Sequence, residues 1–164
     1  MQQFSLLLLS ATLLCISCNA PAPAPPAALN KPATASCYAL REGKDVTAIE
    51  LTIDQDAVTG YFAWEPFERD GAHGYFQGKV ADGLITAGFT YMIEGAIQAE
   101  EILLKMEGDR LLQGRGELED KNGRLIIKDK STVEWTMAFQ KTDCAELGQT
   151  IQNAKETAKI IQAQ

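Results

Sequence analysis

Short stretches of alternating polar and apolar residues, separated by turn signals at regular intervals, fill the chain between Cys37 and Cys144. The turns contain Asp-Gly, Asn-Gly or similar pairs, which tolerate the positive φ of tight hairpins. They lie at residues 42–45, 54–56, 70–71, 82–83, 108–109 and 122–123. Many short strands joined by hairpins are typical of an antiparallel sandwich or barrel, so this spacing predicts an all-β fold.

Between these turns the pattern predicts nine strands, at residues 37–42, 46–53, 58–65, 74–80, 84–93, 97–106, 110–119, 124–129 and 132–141. Two of them alternate cleanly, so that the apolar residues of each strand share one face. These residues are Ile49, Leu51 and Ile53 in the first strand, and Val133, Trp135, Met137 and Phe139 in the second. A closed or nearly closed antiparallel sheet requires one such dry face and one wet face.

Glycine recurs inside three of these strands, at Gly60, Gly78 and Gly114. Glycine within a strand often marks a bend or a bulge, and small barrels need bends to close. With eight or nine hairpin-linked strands, residues 36–144 resemble the lipocalin-like or calycin-like barrels of small bacterial lipoproteins. The resemblance is one of architecture: it implies an eight- to nine-stranded antiparallel meander, and no known binding residue matches.

The N-terminal segment contains an apolar run from Leu6 to Ile16 that is followed by small residues. The run is too short for a transmembrane helix, which needs about 20 residues, and the pattern is typical of a secretory signal. It ends at Ser17 and Cys18, where a small residue precedes a cysteine and the segment resembles the lipobox of bacterial lipoproteins. The resemblance implies a signal peptide over 1–17 and a lipidated Cys18 that anchors the protein to a membrane.

Cys15 competes with Cys18, but the bulky Leu14 precedes it where a lipobox has a small side chain. A secreted protein without lipid and an uncleaved anchor are the alternatives. Residues 19–35 are mostly Pro and Ala, which favour an extended chain, so residues 18–35 are predicted to be a lipidated cysteine and a tether. Asn19, rather than Asp, follows the cysteine, and this resembles the signal that sorts enterobacterial lipoproteins to the outer membrane. We therefore expect the protein to be anchored in the cell envelope of a Gram-negative bacterium, at the outer membrane.

Cys37 and Cys144 remain at the two ends of the folded region. In an exported and therefore oxidising context they predict a disulfide, and two buried free thiols are the alternative. A metal site is not predicted, because the sequence offers neither a C-x-x-C pair nor a nearby histidine.

The pattern changes after Cys144, where residues 145–164 are predicted to form a helix. Its apolar residues fall on one stripe, namely Leu147, Ile151, Ala154, Ala158 and Ile161. The stripe is thin, so the helix requires a surface to pack on. That surface is either the barrel itself or a partner, including a second copy of the chain.

Patterns for catalysis and for cofactor binding are missing from the sequence. It contains no nucleophile elbow, phosphate loop or dinucleotide fingerprint, and its single histidine, His73, falls in a predicted turn. We therefore predict no catalytic residue, no cofactor and no enzymatic activity. A net charge of −7 and a pI near 4.7 oppose nucleic-acid binding, which requires basic patches.

Glu100 shares its phase with Ile102, Leu104 and Met106 on the more apolar side of its strand. If this side faces the barrel interior, the carboxylate must be paired or have a raised pKa. A polar group in an apolar cavity is typical of a small-ligand site, and its predicted companions are Phe89, Tyr91, Trp135 and Lys79. The alternative places Glu100 at the rim, in water.

Three functions remain open. A membrane-tethered barrel that binds a small, partly apolar molecule or an envelope lipid requires a cavity of at least about 300 Å³. A structural or adaptor lipoprotein that contacts another envelope protein through its edge strand or tail helix requires a filled interior and an apolar external patch larger than the few hundred Å² typical of monomers. A carboxylate-dependent enzyme, the least favoured, requires two carboxylates facing each other at about 5–9.5 Å.

Overall fold

The computed structural model describes residues 33–164. The predicted signal peptide, the lipidation at Cys18 and most of the predicted tether therefore lie outside the described residues. No helix within 33–164 is both long and apolar enough to cross a bilayer.

The described residues form ten strands and one α-helix. The strands are β1 Ser36–Glu42, β2 Asp45–Asp54, β3 Ala57–Glu65, β4 Ala72–Ala81, β5 Leu84–Ile93, β6 Ala96–Glu107, β7 Arg110–Arg115, β8 Leu118–Lys121, β9 Arg124–Ile127 and β10 Glu134–Thr142. Helix α1, Gly148–Gln162, follows a single 3-10 turn at Cys144–Leu147. The predicted Asp82-Gly83 and Asn122-Gly123 hairpins have positive φ at both residues, as their turn type requires.

Eight strands close an antiparallel barrel. From β1 to β7 each strand pairs with the next one in the chain, including β5 with β6. β10 closes the circle by pairing with both β7 and β1. The prediction of an all-β barrel with a C-terminal helix is therefore confirmed. β8 and β9 form a hairpin between β7 and β10 whose backbone pairs with the barrel at one parallel bridge, Glu100 with Leu125.

Two details of the predicted strands are wrong. The predicted strand 110–119 breaks after Arg115, because the chain leaves the barrel at Gly116 to form the β8–β9 hairpin. In β10 a bulge lies between Trp135 and Met137, so the residues on its two sides do not keep the same phase. Met137 therefore points inward, whereas Trp135 pairs with Gly114 and lies outside.

Large side chains fill the half of the interior near the β2–β3, β4–β5 and β6–β7 turns. They include Leu51, Val58, Phe76, Ile85, Leu104, Leu111 and Phe139, all nearly inaccessible to solvent. Gly60 permits this packing, since a Cβ there would collide with the Phe76 ring and the Glu50 carbonyl. Because β1 also begins at this end and β10 finishes there, we call it the closed end of the barrel.

The outer face of the sheet carries α1. The predicted stripe is confirmed, because the buried residues of this C-terminal segment are Leu147, Ile151, Ala154, Ala158 and Ile161. Leu147 and Ile151 pack on Ala39 and Ala48, whose small side chains let the helix approach the strands closely. The predicted Cys37–Cys144 disulfide is present, with its Cα atoms 5.1 Å apart, and joins β1 to the start of this segment.

Hydrogen bonds to Glu65 at the end of β3 hold the helix on the barrel. Its carboxylate accepts from Thr150 Oγ1 at 2.9 Å and from Asn153 Nδ2 at 3.1 Å. His73 also contacts it, with Nε2 at 3.2 Å from Oε1. The prediction of a turn histidine is wrong: His73 lies in β4, half-buried, because this strand begins at Ala72.

Candidate ligand-binding cavity

The half of the barrel interior opposite the closed end contains a half-open cavity of about 320 Å³, called here the barrel cavity. Its mouth lies beside the β1–β2, β3–β4 and β5–β6 connections, since Thr47, Trp64, Ala72 and Ile93 line it. The remaining lining residues are Phe62, Phe89, Tyr91, Glu100, Gln113, Arg115 and Met137.

Aromatic rings from β3 and β5 form one wall of the barrel cavity. Inward-facing residues alternate along each strand, so Phe62 and Trp64 lie on β3 and Phe89 and Tyr91 on β5. The ring centroids of Phe62 and Phe89 are 4.9 Å apart, and those of Phe89 and Tyr91 are 4.6 Å apart in a stacked arrangement. Phe62 is tilted by 44° from Phe89, so the wall offers a ligand an angled apolar surface.

Glu100 on β6 is the cross-strand neighbour of Phe89 and lies beside the aromatic wall. Its half-buried carboxylate makes no hydrogen bond or ion pair with any residue in the described part of the chain. Burial raises the pKa of this carboxyl, and the positive charge of Arg115 partly opposes the increase. The pKa of Tyr91 is also raised, by burial and then by Glu100, and its hydroxyl donates to Gln98 Oε1 at 2.9 Å.

β7 supplies the other polar groups of the cavity. Gln113 Oε1 is buried and has no hydrogen-bond partner among residues 33–164. Among residues 33–164 the guanidinium of Arg115 donates only to a thioether, with Nη2 at 3.0 Å and Nε at 3.3 Å from Met137 Sδ. Sulfur is a weak acceptor and Arg115 is exposed, so its remaining donors are open to solvent or to a ligand.

A second cavity, also of about 320 Å³, lies in the barrel wall and is called here the lateral cavity. Pairing of β6 with β7 ends at Leu103 and Gly114, and beyond this point the two strands separate. The base of the β8–β9 hairpin borders the gap with Leu118 and Ile127. Glu101 secures the hairpin by accepting from Ile127 N at 3.2 Å and from Lys130 Nζ at 2.7 Å.

The two cavities share three lining residues, Glu100, Gln113 and Arg115, which we call the junction residues. They stand where the aromatic interior meets the gap in the wall. A molecule in the barrel cavity can therefore place its apolar part on the rings and its polar part at the junction residues.

The structure brings together three of the five residues predicted to bind a ligand: Glu100, Phe89 and Tyr91 line the barrel cavity. Trp135 lies outside because of the bulge in β10. Lys79 also points outward, since its neighbours Gly78 and Val80 take the inward phase of β4, and its ammonium pairs with Asp56 at 3.0 Å.

Sequence reasoning missed Gln113 and Arg115. Both share the phase of the buried Leu111, so the alternation along β7 could have assigned them to the interior. Trp64 and Phe62 were likewise not selected, because both faces of their strand carry apolar residues.

The junction offers one half-buried carboxylate, one half-buried amide and one exposed guanidinium, which can make hydrogen bonds and ion pairs with a molecule in either cavity. The one cluster of metal-ligand atoms within 33–164 is Cys37, Cys144 and Glu50, and the disulfide occupies both sulfurs.

Comparison with known proteins gives no relative: no protein-family model matches the sequence, and no curated protein or solved structure is significantly similar to the chain.

Proposed function

We propose that this protein is an envelope lipoprotein that binds a small, partly apolar molecule in its barrel. The observation that carries the proposal is the contrast between the two halves of the interior. One half is packed with buried side chains, whereas the other is a half-open cavity of about 320 Å³ with an aromatic wall and a few polar groups. Small-molecule sites combine these features, and they begin at about 300 Å³.

The adaptor alternative requires a filled interior, and the barrel cavity does not support it. The enzyme alternative requires two opposed carboxylates, whereas Glu100 contributes the one carboxylate that lines the barrel cavity. Glu101 on the outer side of β6 is engaged by Lys130 and the backbone of Ile127. The geometry favours binding over both alternatives.

The position of the mouth agrees with a tethered protein. β1 begins at Ser36 at the closed end, so the chain enters the barrel opposite the mouth. A tether attached before Ser36 would join the barrel at the closed end, so its attachment point would not block the mouth of the cavity.

Binding is tested with N-phenyl-1-naphthylamine, a neutral dye whose fluorescence rises in apolar surroundings, and with residues 33–164, which contain the whole closed barrel. Ala72→Phe fills the mouth of the cavity, and Ala81→Phe places the same ring on the exposed face of the same strand. We expect Ala72→Phe to weaken dye binding at least tenfold and Ala81→Phe to leave it within twofold. Equal dye binding by the two variants would contradict the proposal.

The envelope anchor is tested by metabolic labelling with radioactive palmitate. Cys18→Ser is expected to abolish labelling and release the protein from membranes, whereas Cys15→Ser retains both. An unlabelled wild-type protein in the soluble fraction would refute the anchor and leave the ligand proposal standing.

A further inference from the structure

The junction residues are three polar side chains whose bonding capacity is unmet within residues 33–164. Glu100 accepts no hydrogen bond, Gln113 Oε1 is a buried acceptor without a donor, and Arg115 donates only to a thioether sulfur. Buried polar groups are normally satisfied, and Gln113 Oε1 is the exception within residues 33–164, whereas Glu100 is half-buried and Arg115 is exposed. Groups of both charges beside an unmet amide oxygen, all lining one cavity, are typical of a site that a ligand completes.

Glu100 and Arg115 carry opposite charges and interact electrostatically, but they form no ion pair with each other or with other residues in the described chain. Their strands explain this separation. β6 and β7 diverge after the Leu103–Gly114 pair, and the two charged residues lie on opposite sides of the resulting gap. A negative and a positive group are therefore held apart, with a free amide oxygen on the same wall.

We propose that the junction residues bind the headgroup of a small zwitterion, with its ammonium at Glu100 and Gln113 Oε1 and its carboxylate at Arg115. This inference rests on the proposed function and specifies its ligand class. A primary ammonium supplies donors for both oxygens, and the planar guanidinium suits a carboxylate with two parallel hydrogen bonds. The apolar part of the same molecule lies on the rings of Phe62, Phe89 and Tyr91.

The size of the barrel cavity indicates how much of this molecule the barrel can enclose. A cavity of about 320 Å³ has the volume of roughly ten water molecules, at about 30 Å³ each. It therefore suits an amino-acid-like molecule of about a dozen heavy atoms. Such a molecule places one ring or branched chain in the barrel and its charged end at the lateral cavity.

Three probes that share one carbon skeleton separate the contributions of the two charges. Phenylalanine carries both charges, 2-phenylethylammonium lacks the carboxylate, and 3-phenylpropanoate lacks the ammonium. The full-length chain is mixed with preformed phosphatidylcholine vesicles, with protein-free vesicles as the blank. Trp64 lines the cavity, and Trp135→Phe removes the one other tryptophan, so quenching of Trp64 fluorescence reports binding.

We expect phenylalanine to bind at least tenfold more tightly than either singly charged probe. Glu100→Gln should weaken phenylalanine and 2-phenylethylammonium at least fivefold and leave 3-phenylpropanoate unchanged or tighter. Arg115→Gln should show the opposite selectivity. Lys79→Gln, on the outer face, serves as the matched control and should change none of the three affinities.

Equal affinities for the three probes, or the same loss for all three in both variants, would overturn the zwitterion inference. If N-phenyl-1-naphthylamine still binds and Ala72→Phe still blocks it, only the headgroup assignment fails. If the dye does not bind either, the proposed function fails as well.

Discussion

Reduction of the Cys37–Cys144 disulfide releases a cross-link that encloses almost the whole barrel. The two cysteines are 107 residues apart in sequence, and the bond joins β1 to the segment that leads into α1. Cys37 is buried among Ala39, Ala48, Leu147 of the 3-10 turn and Ile151 of α1. Because a reduced thiol keeps nearly the same volume, this packing survives reduction and the cross-link alone is lost.

The size of the effect follows from the length of the enclosed loop. Chain entropy assigns about 4.7 kcal/mol of stabilisation to a cross-link that closes about 100 residues. This corresponds to a factor of roughly 2,500 in the unfolding equilibrium. With an unfolding entropy of about 2.1 cal/mol/K per residue, residues 33–164 should melt about 17 °C lower when reduced.

Urea unfolding of residues 33–164, followed by tryptophan fluorescence with and without dithiothreitol, measures this difference. The double variant Cys37→Ala/Cys144→Ala is the control and should not respond to the reductant. A difference below about 1 kcal/mol between the oxidised and reduced wild type would refute the loop-entropy reasoning.

Three further predictions concern single residues. Glu65→Ala removes the acceptor for Thr150 and Asn153, so we expect a loss of about 1–2 kcal/mol in urea unfolding and faster amide exchange in α1. Gly60→Ala should cost about 1–3 kcal/mol, because its Cβ would collide with the Phe76 ring, whereas Gly148→Ala, with no neighbouring atom, should be neutral or stabilising. Burial raises the folded-state pKa of Glu100, so its contribution to stability is present below about pH 4.5 and is lost as pH rises through that pKa. Glu100→Gln should therefore gain stability relative to wild type between about pH 4 and about pH 7, and a pH-independent difference in urea unfolding would contradict this.

Local signals were sufficient to predict most of the fold. The Asp82-Gly83 and Asn122-Gly123 turns require positive φ, which the sequence displays directly, and they set the strand ends on both sides. The stripe of α1 is likewise a local pattern with the period of a helix. Its partner surface did not follow from the sequence, because the close approach depends on Ala39 and Ala48, which lie on two different strands.

Features that depend on long-range pairing were not predicted. Alternation with a period of two residues holds only in a strand that contains no inserted residue. The bulge in β10 that turns Trp135 outward is visible only in the pairing of Trp135 with Gly114 on β7. By contrast, alternation within β6 was enough to place Glu100 on the inner face. The importance of Gln113 and Arg115 depends on where β6 and β7 stop pairing, which neither strand encodes by itself.

The β8–β9 hairpin makes no contribution to the hydrogen-bonded circle of the barrel, since β10 pairs directly with β7 and β1. Its length and sequence can consequently be exchanged while the eight-stranded frame stays intact. Loops grafted between β7 and β10 would therefore change the lining of the lateral cavity, to which the hairpin contributes Leu118 and Ile127, without breaking this circle.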